Sequence, residues 1–380
     1  MHMRHFRPRP LQEIGCAALS RSKGSGSDQL RVHMSGSVVS RTRAPVAFGR
    51  RAVPRLFEEL RDPDPERRIR TLNSLCDLVH DPERLYQTVT GGFMDQIQVL
   101  LKDENQAVRR KTCELLHLLT SHSLGRQSLL VSSLVSPLSQ LLDDPSGSCR
   151  TSIHRVLNRL ALLPAGAQAL LPLVPKLMQK LKEDQEDQEE ELVLLLSTLS
   201  SCCRSDAVPA LSLDGVALLR HKLEHQRTEV RRNAAGTMKE LSVPLEGKRQ
   251  ICEEAVIPVL AALLLDEDLE VQTNSAGTIM NTVILTEGKR QVLDLDVVPV
   301  LLDLVSKQDQ DQNQDQEVWI RRRSLILFCL RTLTSVAEAP EGRVLLLDQV
   351  PLLVHQTQED QDQEVRRAAK TALRVVTWTP

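Results

Sequence analysis

Bulky aromatic side chains are nearly missing from this sequence: 380 residues include five Phe, two Trp and one Tyr, 2% in all. A single large core draws much of its buried area from such rings. Leu, Val and Ala must supply it here, which favours many small, closely stacked helices. Close-set cysteines are missing too. The eight are Cys16, Cys76, Cys113, Cys149, Cys202, Cys203, Cys252 and Cys329; no CxxC occurs, and only Cys202 and Cys203 lie near each other. That spacing supports neither a zinc ribbon nor a dithiol redox centre, and it reads as reduced thiols in an intracellular compartment. There is no Asn-x-Ser/Thr sequon and no secretory apolar stretch. The best uncharged run, 160–175, is 16 residues long and is broken by Pro164, Pro172 and Pro175. A membrane span needs ~20 apolar residues, so no membrane partner is expected. Neither GxGxxG nor a P-loop is present, since Gly247-Lys248-Arg249 lacks the upstream glycine. No cofactor, metal or small-molecule substrate is expected, and no enzymatic activity.

Charge is nearly balanced at −2. Residues 1–44 carry eight Arg or Lys against Glu13 and Asp28, so that this tail is about +6 and the remainder about −8. The tail mixes Arg, Ser, Gly and Pro without helical period and is expected to be disordered. Its composition also resembles a mitochondrial transit peptide, but a variable tail is the simpler reading, with Met34 a possible start.

What the chain does have is a period. Glycine-centred segments read LGRQ at 124–127, AGAQ at 165–168, EGKRQ at 246–250 and 287–291, and EGR at 341–343. Gly125 and Gly166 are 41 apart, as are Gly247 and Gly288; the 81 residues from Gly166 to Gly247 leave room for one unmarked unit near Ala207. Segments beginning at Val108, Cys149, Val230, Val271 and Val365 keep the same beat, and so do Pro-containing helix starts at 174, 257, 298 and 350. A period of ~40–47 with two or three helices per unit is the armadillo/HEAT signature. The glycine segments read as turns where a helix stops. The Asp-rich links at 62–65, 143–145 and 266–268 read as helix N-caps. The expectation is an all-α, right-handed superhelical solenoid of about seven ~41-residue repeats over 45–380, with essentially no sheet. Acidic Gln/Asp-rich tracts near 183–191, 307–317 and 358–364 are expected to be solvated loops; the second coincides with 13 extra residues between Gly288 and Gly342.

Several segments go beyond the generic repeat. APVAFGRRAVPRL at 44–56, CDLVHDPE at 76–83, LLKDENQAVRRKT at 100–112, SHSLGR at 121–126, NAAG at 233–236 and AEAPEGR at 337–343 resemble the radial spoke head 14 homologue family (rhabdoid tumour deletion region proteins), over roughly 44–350. The resemblance implies an axonemal radial spoke component, with other spoke subunits as partners and a cytoskeletal location in the cilium or flagellum. It does not extend to the tail or the Gln/Asp tracts.

Candidate chemistry is sparse. His221 and His225, four apart, are placed on one helix face as exposed residues without a third metal ligand. Arginine pairs such as Arg109-Arg110 and Arg231-Arg232 recur on the beat. With the aromatic stacking platform missing and acidic links preceding them, they are read as pairing locally or with neighbouring repeats, not with nucleic acid. Arg110 and Arg232 are placed on the outer face. The sharper feature is a polar ladder in the long helix of successive units: Asp77, His117, Asn158, Glu240 and Asn281, spaced 40, 41, 82 and 41. In armadillo proteins that resemble this pattern, that helix lines a concave groove where Asn bonds the backbone of an extended peptide. The alternative is a solvated face that binds nothing. The functional expectation is a protein-binding scaffold. The rival is a soluble importin-like or signalling adaptor; against it, neither Trp319 nor Trp378 is followed by Asn four residues on.

Overall fold

In a computed structural model of the chain, residues 49–132, 134–183, 189–306, 316–359 and 362–378 are described. The tail 1–44 and residues 184–188, 307–315 and 360–361 of the acidic tracts lie outside them. Every element among the described residues is helical.

The links explain where helices begin. Asp64 accepts from the Glu66 N–H, Asn105 from Ala107 and Val108, and Asp268 from Glu270 and Val271. Each thereby satisfies amides that the first helical turn leaves open. Among the described residues the long helices are α1 (Pro65–Leu78), α2 (Gln106–Thr120), α3 (Gly147–Ala161), α4 (Glu189–Ser205), α5 (Thr228–Leu241), α6 (Leu269–Thr282), α7 (Gln316–Val336) and α8 (Gln363–Val376). Each of α1 to α7 is followed by two shorter helices, as in Leu245–Glu253 and Ile257–Leu263 after α5. Seven three-helix units result, closed by α8 and preceded by a short helix, Ala52–Glu59. The Pro-containing starts at Val174, Ile257, Val298 and Val350 all open helices. Near Ala207 the unmarked unit has only a four-residue helix, Val208–Leu211. The acidic tracts differ from the expected loops at their ends: Glu189–Glu191, Gln316–Glu317 and Gln363–Glu364 are helical. Carboxylates in a first turn complement the helix dipole, which recruits these residues.

Consecutive long helices pack on one another from α1 to α8, forming a continuous layer backed by the short helices. Their inward stripes, such as Val108, Leu115, Leu116 and Leu119 of α2, join one uninterrupted core from Val53 to Val376. The recurrent glycine is not a turn residue. Gly125, Gly166, Gly247, Gly288 and Gly342 all lie inside the short helix that follows the long one. A Cβ at Gly247 would sit 1.7 Å from the Leu241 carbonyl oxygen, and one at Gly125 1.9 Å from that of Leu119. Glycine is needed because two helix ends press together.

A second recurrent device locks neighbouring units. Arg68, Arg109, Arg150 and Arg231 each donate Nη1 to two carbonyls of the link before their own helix, as Arg231 does to His225 and Gln226 at 2.9 and 2.7 Å. Each also reaches a carboxylate of the next unit: Asp103 at 3.0 Å, Asp144 at 2.7 Å, Glu191 at 3.3 Å and Asp266 at 2.7 Å. Asp144 and Asp266 use one oxygen for the arginine and the other for a link N–H. Burial alone would raise the Asp144 carboxyl, but Arg109 and the Ser146 N–H hold it below the ordinary range.

Candidate functional site

The open side of the long-helix layer is the surface on which the ladder residues fall. On α2, Arg110, Glu114 and His117 recur at three- and four-residue intervals opposite the buried stripe. Arg110 therefore faces the same way as His117, not outward as expected. Arg232 lies on the same face of α5, where it pairs with Asp268 at 2.5 Å. His225 is not on a helix with His221: it occupies the link position held elsewhere by aspartate and accepts from the Arg227 N–H through Nδ1 at 3.1 Å. Among the described residues no three His, Cys, Asp or Glu are grouped so as to hold a metal ion, and no helix is long and apolar enough to cross a membrane.

The arginine lock gives each helix a register, and it separates the five ladder residues into two positions. His117 and Asn158 come eight residues after Arg109 and Arg150, whereas Asp77 and Glu240 come nine after Arg68 and Arg231. Asn281 comes nine after Gln272, which takes the arginine's place and donates to the Asp266 carbonyl. Both positions border the open face, but their engagements differ. Glu240 pairs with Arg204 of α4 at 3.3 Å, and Asn281 Nδ2 donates to Ser242 Oγ at 2.8 Å. Asp77 is exposed at the end of α1. Asn158 Nδ2 and His117 Nδ1 are shielded from solvent and have no hydrogen-bond partner. Burial, followed by the charges of Arg159 and Arg155, brings the His117 pKa down to about 4, so that its imidazole is neutral near pH 7.

Other residues of this face escaped sequence reasoning. Arg159 follows Asn158 and donates Nη1 to the His117 carbonyl at 2.5 Å, bridging α3 to α2. Further along, the NAAG of α5 and NSAG of α6 repeat at 41 residues, with Asn233 matching Asn274 and Gly236 matching Gly277. Lys239 donates Nζ to Asn274 Oδ1 at 2.9 Å, and its stem lies over Gly277. A Cβ on Gly236 would be 3.5 Å from Asn274 Nδ2 and 3.9 Å from Ser200 Oγ. Gly277 is thus covered by Lys239, whereas at Gly236 an added methyl would meet Asn274 and Ser200 only at ordinary contact distance. The repeated Asn-x-Ala-Gly was the available signal.

The architecture has known counterparts. An engineered protein superposes with a TM-score of 0.69 at 18% identity, covering 89% of this chain and 93% of that one. A designed armadillo repeat protein in complex with the peptide (KR)4 superposes with a TM-score of 0.55 at 19% identity, covering 60% of this chain and 99% of that one. At such identities the likeness concerns the fold, a helical repeat solenoid. In sequence, residues 100–302 match the family model described as dynein axonemal assembly factor 5-like, TPR repeats. The ~41-residue, three-helix unit is longer than the two-helix, 34-residue TPR unit, so that name describes the helical-repeat class and not this period. With more than half of its length matched, the chain belongs to the family of dynein axonemal assembly factor 5-like helical-repeat proteins.

Proposed function

We propose that this protein is a non-enzymatic scaffold of the motile cilium, holding extended segments of axonemal proteins along the open face of α1 to α8. The observation that carries this reading is the uncommitted polarity in that face. Asn158 offers an amide donor without a partner, one helix away from the His117 Nδ1, which also lacks one. An unmade hydrogen bond in a shielded place costs about 1–3 kcal/mol, which a peptide backbone carbonyl would relieve. Solenoids of stacked repeats present such extended binding surfaces as a consequence of their curvature. The ciliary setting is supported by the axonemal family match and by the segments that resemble radial spoke head 14 homologues, so that radial spoke subunits are the first partners to test. An importin-like adaptor is the second reading, favoured by the basic peptide that the designed armadillo protein carries.

The test is capture from motile-cilium extract on the immobilised full chain. Radial spoke or other axonemal proteins should be retained, identified by mass spectrometry. Asn158→Ala with Asn281→Ala should lower that retention roughly tenfold, equivalent to about 1.4 kcal/mol. A matching change on an exposed short helix, Arg290→Gln, should leave it unaltered. Retention of no axonemal protein, or identical retention by the double variant, would overturn the proposal.

A further inference from the structure

We infer that the part of the face between α2 and α3 receives a carboxylate side chain, so that the partner segment docking there is acidic; this rests on the scaffold reading above. The basis is an excess of guanidinium groups around two unpartnered polar atoms. Arg159 spends one N–H on the His117 carbonyl and has no carboxylate within ion-pair distance among the described residues. Arg126 is in the same position: its Nη1 donates to the carbonyls of Thr120 and Ser121 at 2.9 and 3.2 Å, and its Nε is shielded and unpartnered. Arg155 completes the group, with Nε and Nη2 directed at a single oxygen of Glu190 at 2.8 and 2.6 Å. Glu114 is engaged by Lys111 at 2.9 Å. Three arginines therefore face one glutamate.

The electrostatics follow this geometry. Burial first, and then the like charges of Arg126 and Arg155, lower the Arg159 pKa from its ordinary value. The neighbouring imidazole is neutral for the same reasons. An incoming carboxylate carries two oxygens and about four acceptor directions. One would take the Asn158 amide and another the remaining N–H groups of Arg159, both as charge-assisted bonds. A lysine or arginine side chain entering here would meet the like charge of Arg126, Arg155 and Arg159. The polarity is thus opposite to that of the (KR)4 peptide on the designed armadillo protein.

Fluorescein-labelled octapeptides of four Ser-Glu, four Ser-Gln or four Ser-Lys repeats, titrated against the full chain by anisotropy, test the inference. The Ser-Glu peptide should bind at least about tenfold more tightly than the Ser-Gln peptide. Arg159→Gln should abolish that preference, and so should Asn158→Asp, which places a carboxylate in the site itself. Arg290→Gln should preserve it, excluding general attraction of anions to the surface. Equal binding of all three peptides would overturn the acidic preference while leaving the scaffold proposal intact. Tightest binding of Ser-Lys, no binding of Ser-Glu, or a preference surviving both Arg159→Gln and Asn158→Asp would also overturn it.

Discussion

His154 shows how one residue departs from its repeat. It stands where the neighbouring units place Cys113, Ala235 and Ala276, all small and buried. Its ring is 3% exposed and its Nδ1 has no partner. Burial, with lesser contributions from Arg150 and Lys180, brings its pKa down from 6.5 to about 4. The sign of the linkage is then fixed. Above pH 6.5 the ring is neutral in both states and contributes nothing pH-dependent. Between 6.5 and 4 the unfolded chain takes up a proton that the folded chain refuses, so stability falls as pH falls. From pH 7 to pH 5 this single group should remove about 2 kcal/mol. His154→Leu should flatten that part of the profile while changing stability at pH 7 by less than about 1 kcal/mol. Urea titrations at both pH values check it; equal pH sensitivity of the two proteins would contradict the assignment. The periodic pattern located this position, but nothing in SIHRV tells a buried His from an exposed one, because burial depends on how α4 closes over α3.

Glycines carry the lesson at the level of the element. Their 41-residue spacing is legible in the sequence, whereas their function is not. A glycine ending a helix and one inside the next helix look alike until the packing of helix ends is known. Gly247 and Gly236 therefore predict opposite outcomes. Gly247→Ala drives a methyl into the Leu241 carbonyl and should destabilise by about 2–3 kcal/mol. Gly236→Ala meets only ordinary contacts, and a mid-helix alanine should gain about 0.5–1 kcal/mol over glycine. It would, however, add a methyl beside Ser200 and Asn274 on the proposed binding face and should weaken partner capture. Thermal denaturation of the two variants separates the effects; stabilities changing in the same direction would refute the packing argument. The arginine pairs were likewise visible as a repeat, and their reading as inter-unit contacts agrees with the observed pairs to Asp103, Asp144, Glu191 and Asp266.

For the whole molecule, the decisive property is that, among the described residues, each unit packs chiefly on its neighbours. Stability is then a sum of unit and interface contributions, and opening proceeds from the ends. Helices α4, α5 and α6 are packed by long helices on both sides, whereas among the described residues α8 packs on one long helix, α7. Hydrogen-exchange mass spectrometry should find the slowest amides in α4 to α6 and markedly faster exchange in α8. Uniform protection along the chain, lost in one global step, would show that the solenoid behaves as a single core.

Sequence by itself determined the helical class, the 41-residue unit, the number of units and the apolar stripes, because these follow from local periodicity that every repeat restates. It also placed polar residues on the correct helices. Register was decided only in three dimensions: a one-residue slip in the spacing, 40 or 82 instead of 41 or 81, moves a side chain about 100° around a helix. The five-residue ladder thus divides into two positions, and Glu240 and Asn281 find partners in the preceding unit whereas the Asn158 Nδ2 does not. Charge was decided there as well. A chain with net charge −2 gathers Arg126, Arg155 and Arg159 in one place, since helix stacking, not distance along the sequence, determines which side chains share a field.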